Sequence, residues 1–146
     1  MEYRKKVLPI LLFVMIAIAG TGSVYGQSKS EKIKTILINL FEYCANDDYG
    51  NASKFLVYMG EDTTRRFIDV YDYTNENDKK EIVSLCREIK GIVENGGEFE
   101  FTQFTTKKET EGVWNTWLVE FQKGSMKKAY FAFLKVKGNY ALGDID

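Results

Sequence analysis

The chain contains no histidine. That absence removes histidine-based triads, the commonest general base and the usual zinc-water sites. Cysteine is scarce as well. Cys44 and Cys86 are the only two, and without histidine they do not make a structural zinc site. Neither sign of charge is in excess, with 20 Lys and Arg against 21 Asp and Glu. A nucleic-acid partner asks for a clearly basic face, which this balance does not offer. Low-complexity tracts, internal repeats and domain linkers are also missing.

One long apolar run is present, at residues 7–19. Arg4, Lys5 and Lys6 precede it, and Thr21, Gly22 and Ser23 relax it. The run is shorter than the ~20 apolar residues a spanning helix needs. Positive, apolar and small segments in that order read as a secretory signal peptide over residues 1–26. No cysteine follows the run to direct lipoprotein processing. Residues 27–146 then form the mature chain, with 17 basic and 20 acidic residues and a net charge of −3. They suit one domain with one core, secreted or periplasmic, with no membrane span after cleavage. Export permits a disulfide between Cys44 and Cys86. Two buried, inert thiols fit the same positions, because each lies on the apolar stripe of its own predicted helix. Geometry decides between the two.

Residues 28–44 have helical spacing of Ile33, Ile36, Leu37, Leu40, Phe41 and Cys44, with Ser28 and Glu31 in capping-box form. Asn46-Asp47-Asp48 breaks the pattern. Residues 50–59 read as a short helix, and 63–71 as a further helical turn or two. Residues 78–93 carry a third stripe of Ile82, Leu85, Cys86, Ile89 and Val93, with Asp78 as cap and Asn95-Gly96-Gly97 as stop. The period then becomes two. Strands are expected at 98–106, 113–122, 126–136 and 140–145, with turns at Lys123-Gly124-Ser125 and Lys137-Gly138-Asn139. Helices first and a meander afterwards is the α+β order. We expect N-terminal helices packed in a curled antiparallel sheet, with Leu37 and Phe41 against Trp117 and Val119.

The closing "LKVKGNYALGDID" presents an aliphatic strand, a Gly turn, Tyr140 and a short strand ending in acid. With "ASKFLVYMGEDTTRRFIDVYDY" before it, the mature chain resembles the nuclear transport factor 2-like (cystatin-like cone) superfamily, and within it small secreted bacterial members of unknown function. The resemblance implies a cone fold. It covers isomerases, dehydratases, transport adaptors and binding modules, so it specifies no activity. Enzymes of that superfamily use a His–Asp pair, or an Asp base with a Tyr donor. Only the second is open here. The donors would come from Tyr43, Tyr58, Tyr71, Tyr73, Tyr130 and Tyr140, and the bases from Asp69, Asp72 and Asp144. No spacing singles out a pair, so no catalytic residue is assigned.

Other motifs favour ordinary structural roles. "NDDYGNAS" lacks the ligand spacing of a calcium loop, so no metal is assigned. Asn51-Ala52-Ser53 matches a glycosylation sequon, relevant only in a host that glycosylates. Lys107-Lys108 reads as a charged hairpin tip. Arg65-Arg66 has the chemistry to grip a carboxylate or phosphate, and otherwise serves as a solvated helix face.

Aromatics are abundant, with 10 Phe, 2 Trp and 9 Tyr. Tyr43, Tyr58, Trp117 and Tyr130 are the candidate lining of a pocket for a small apolar ligand. Trp114, Phe131 and Phe133 are expected together on the outer sheet face, as a patch for a homodimer through the sheet. The resulting reading is an exported, non-catalytic binding or assembly module without cofactor. Its alternatives are an isomerase- or dehydratase-like enzyme with a Tyr–Asp pocket, and an inhibitor or adaptor binding protein through the outer sheet face. Val24 and Gly26 suit the −3 and −1 positions of a cleavage site. N-terminal mass spectrometry of exported protein should therefore begin at Gln27, and membrane-bound material retaining Met1 would refute the leader.

Overall fold

The computed structural model describes residues 27–146, and the signal-peptide reading of residues 1–26 lies outside them. Helix α1 (Lys29–Ala45) starts where the Ser28 side chain accepts the Glu31 N–H at 3.3 Å. All six residues of its expected stripe are buried. Helix α2 (Tyr49–Ser53) is capped by Asp48 and is shorter than expected. The chain leaves it because residues 55–57 hydrogen-bond to the sheet instead. Leu142 N–H donates to Phe55 O at 2.7 Å, and Val57 N–H donates to Leu142 O at 2.8 Å. Residues 63–71 do not form a helix either. Tyr58 N–H donates to Asp69 O, and Tyr71 N–H to Leu56 O, so residues 55–71 fold back on themselves as a strap. Tertiary pairing has overridden local helical spacing at both places.

Helix α3 (Glu76–Gly96) begins earlier than expected. Asn75 is its cap, and its side chain accepts the N–H groups of Asn77 and Asp78. Asp78 is not the cap. It lies inside the first turn, with its carboxylate committed to the strap. The helix ends at Gly96, where Phe121 packs so closely that a Cβ would meet its ring at 2.3 Å.

Four strands follow, β1 (Phe99–Glu109), β2 (Gly112–Phe121), β3 (Lys128–Val136) and β4 (Asn139–Ile145). They form an antiparallel meander in the order β1-β2-β3-β4, so the α+β class holds, with an open sheet. Bulges interrupt the register at Thr102 and at Gly143. Leu37, Phe41, Trp117 and Val119 share one buried cluster, as expected.

Phe131 and Phe133 do not lie on the outer face. Phe131 is the register partner of Trp117, and opposite residues of an antiparallel pair point to the same side. Both phenylalanines are 0 % exposed, and the Phe41 ring meets Phe131 edge-on at 5.3 Å. Trp114 alone of the three faces outward, so they form no common patch. The outward residues of β3 are Tyr130, Ala132, Leu134 and Val136. The strap covers the last two, where Val57, Phe67 and Val70 pack with Trp114 into a second, smaller cluster. Trp114 lies flat enough on β4 that a Cβ at Gly143 would meet it at 2.8 Å. Alternating apolar residues on both faces of β3 are thus explained by two covers, helices on one side and the strap on the other.

Cys44 and Cys86 form a disulfide that ties α1 to α3 across 42 residues. In the chain-entropy account, closing a loop of that length contributes about 4 kcal/mol. Denaturant melts of Cys44→Ala/Cys86→Ala should show a loss of about 2–5 kcal/mol. Phe131→Ala should cost about 3–5 kcal/mol, and Phe131→Glu should fail to fold. A folded Phe131→Glu protein would place that side chain on the surface.

Candidate functional site

The strap is held by one arginine. Arg65 donates through both terminal nitrogens to Asp78, at 2.7 and 3.3 Å, and through Nε to Asp69 at 3.2 Å. It also donates to Val70 O at 3.1 Å, and its guanidinium lies 3.9 Å over the Tyr58 ring. Asp78 additionally accepts the Asp72 N–H at 2.8 Å. Lys137, in the β3–β4 turn, reaches Asp69 at 2.8 Å. The paired carboxylates raise the Arg65 pKa against the opposing effect of burial. The Lys137 ammonium holds Asp69 below the usual carboxylate range, with further help from the Val70 N–H and Arg65. Arg65 is therefore neither a solvated face nor a grip for an outside anion. Arg66, its neighbour, donates to Gly60 O instead.

Pinned in this way, the strap forms one wall of a cleft against α3 and β4. The cleft holds about 300 Å³. Leu56, Val57 and Leu142 supply a buried apolar base, with Met59, Leu85 and Ile145 at the sides. Glu81, Glu88 and Asp144 bring carboxylates to it, and Tyr71 joins them. A second depression of about 380 Å³ adjoins it through Tyr71 and Glu81, and is lined also by Tyr58, Gly60, Glu61 and Lys80. The Tyr71 hydroxyl accepts the Met59 N–H at 3.3 Å, leaving its own proton for another acceptor. Burial raises the Tyr71 pKa, opposed by that Met59 hydrogen bond and supported by the nearby Glu81 charge. The phenol stays neutral through the physiological range and keeps its proton.

The aromatic set expected to line a pocket is not brought together. Tyr43 stacks on Phe55 with ring centroids 6.2 Å apart. Tyr58 is buried beneath Arg65, and its hydroxyl accepts the Asp62 N–H. Trp117 is buried on the inner face, with its indole donating to Ser30 O at 3.0 Å. Tyr130 is 39 % exposed on the opposite face. Among the Tyr and Asp candidates, Tyr71 and Asp144 line one cleft, and Tyr71, Tyr73, Asp69 and Asp72 line a separate open depression of about 580 Å³ beside Arg65 and Lys137. Glu81 and Glu88 were missed, although Glu81, Leu85 and Glu88 have the i, i+4, i+7 spacing of one helix face. Asn115 was missed too. It is buried, its amide donates to Val113 O, and its Oδ1 has no partner. Among the described residues no three acidic or cysteine side chains gather as a metal site. Asp48 caps α2, and Asp47 accepts from Tyr49 and pairs with Lys90. No family model, curated protein or solved structure matches this chain.

Arg65→Met should cost about 3–5 kcal/mol, because Asp78 is only 4 % exposed and would remain as an unpaired charge. Arg65→Met/Asp78→Leu should recover part of that loss in urea melts. Asp69 has a lowered folded pKa, so its contribution is present above the unfolded value of about 4 and lost as pH falls through the folded value. Asp69→Asn should flatten the acid limb of stability measured between about pH 6 and pH 2.

Proposed function

We propose that the protein is an exported, non-catalytic binding module whose ligand site is the cleft between α3, β4 and the strap. The observation that carries this reading is the chemistry of the cleft. An apolar base meets Glu81, Glu88 and Asp144, with the neutral Tyr71 phenol beside them. Such a lining suits a ligand with an apolar body and a cationic group, such as a hydrophobic amine or a basic side chain of a peptide. Support for export comes from the Cys44–Cys86 disulfide, which belongs with an oxidising compartment. No helix among the described residues is long and apolar enough to cross a membrane. The nuclear transport factor 2-like relationship remains part of this proposal, supported by helices preceding an antiparallel meander.

An enzymatic reading has in its favour that Tyr and Asp candidates share clefts, Tyr71 with Asp144 in one and Tyr71 and Tyr73 with Asp69 and Asp72 in another, although Asp69 there is already paired with Arg65 and Lys137. A neutral tyrosine and an exposed carboxylate can bind an amine without any proton transfer, so binding is the simpler account. Octylamine, octanol and octanoate discriminate the proposal, since they share a chain and differ in charge. Octylamine should raise the melting temperature with saturation, by an amount equivalent to about 1–3 kcal/mol well above its Kd. Octanol should do less, and octanoate least. Glu81→Gln and Glu88→Gln should each weaken octylamine binding while leaving the unliganded melt unchanged. Equal responses to all three compounds, or none, would refute the assignment.

A further inference from the structure

The two edges of the sheet are finished differently. β4 is hydrogen-bonded along its outer edge to the strap through Phe55 and Val57. β1 pairs with β2 on one side, and among the described residues nothing pairs with its other side. An edge of this kind offers a row of amides and carbonyls to another strand. Every residue of β1 is exposed or half-exposed along its 11-residue length. Its inward side carries Phe99, Phe101 and Phe104, which meet one another or Trp117 edge-on or tilted. Phe99 is still 37 % exposed, so this aromatic row is left open at the sheet edge.

Charge along β1 is segregated. Glu98 immediately precedes the strand and Glu100 stands at its start, while Lys107 and Lys108 stand near its end, before the closing Glu109. Glu100 lies directly opposite Glu120 of β2, an unfavourable like-charge pair. Glu98, Glu100 and Glu120 line one concavity of about 410 Å³, together with Phe99 and Phe121. None of these carboxylates enters an ion pair among the described residues. Lys128 of β3 lies opposite Glu120 on its far side, so Glu100, at the sheet edge, is the carboxylate of this row left without a neighbouring cation partner. The end of the same strand displays Lys107, whose side chain is 80 % exposed and pairs with Glu109 of its own strand.

We propose that a second copy of this chain docks on β1, antiparallel, about a two-fold axis at Phe104, with Thr102 left out of the pairing as the bulged residue. In that register Glu100 of each copy faces Lys107 of the other. Both side chains point to the outer face, since their β2 partners are Glu120 and Trp114. Phe99 of each copy comes beside the aliphatic stem of Lys108, and the two aromatic rows become continuous on the inner face. The two four-stranded sheets join into one. A parallel, in-register pairing would instead set Glu100 on Glu100 and Lys107 on Lys107. Edge lysines and a bulge deter indiscriminate pairing, and the two-fold arrangement is the one that turns those lysines into partners.

Sedimentation velocity of the purified protein, with Glu100→Lys, Lys107→Glu and Glu100→Lys/Lys107→Glu, tests the arrangement. The unmodified protein should dimerise. Each single reversal should raise the dissociation constant by roughly tenfold or more, and added salt should weaken the unmodified dimer. The double reversal should restore association, because opposite charges then face each other again with their signs exchanged. Thermal melts at low protein concentration should show all three variants folded, with Glu100→Lys slightly stabilised by relief from Glu120 and Lys107→Glu slightly destabilised by loss of its contact with Glu109, both effects being small at exposed positions. A monomer at every concentration overturns the proposal. So does a dimer indifferent to the single reversals, or one that the double reversal does not restore, since either places the interface elsewhere.

Discussion

The Arg65–Asp78 pair is the interaction on which the arrangement of this protein depends. Backbone hydrogen bonds and apolar side chains also hold residues 55–71, with Leu56, Tyr58 and Tyr71 in the larger cluster and Val57, Phe67 and Val70 in the smaller, but it is this pair that fixes the strap to α3. Asp78 comes from the first turn of α3 and Arg65 from the strap, so the pair joins the helical layer to the cover on the opposite side of the sheet. Lys137 extends the link to the β3–β4 turn through Asp69. Paired charges of this kind contribute little net stability compared with apolar packing, yet losing one partner is expensive. The pair therefore acts more to specify where the strap lies than to stabilise the fold as a whole.

Several features follow from where the strap is held. It covers Leu134 and Val136, which would otherwise leave apolar surface on the outer side of β3. It closes the β4 edge by hydrogen bonding, leaving β1 as the uncovered edge among the described residues. It also supplies Leu56, Val57, Met59 and Tyr71 to the cleft, so the proposed ligand site exists only while the strap is in place. The disulfide acts on the other side of the sheet, fixing α1 to α3 and with it the position of Glu81 and Glu88.

The chemistry available to the cleft is narrow for a physical reason. Without histidine, no side chain of ordinary pKa changes charge near neutral pH. Tyr71 is moved further from neutrality by burial. Arg65, the cation best suited to anions, is consumed by internal carboxylates. What remains at the cleft is a set of carboxylates around an apolar base, and the proposed recognition of a cationic ligand rests on that lining.

The sequence by itself determined the element types wherever the apolar period was long. The stripes of α1 and α3 and the four-strand meander were legible because burial against one layer imposes a 3.6- or two-residue repeat. It also placed Cys44 and Cys86 on stripes that could meet. Only the tertiary structure decided which face of β3 turns inward, because both faces are apolar and a period-two pattern cannot break that tie; the register between Trp117 and Phe131 does. The strap was illegible for a similar reason. Its apolar residues fit a helix locally, and the competing hydrogen bonds come from Leu142, far along the chain. The cleft residues Glu81 and Glu88 had a readable helical spacing, but their meaning depends on Asp144 and Tyr71 arriving from two other elements. Contacts between residues distant in sequence carry no local signature, and those contacts set the strand phase, the strap and the site.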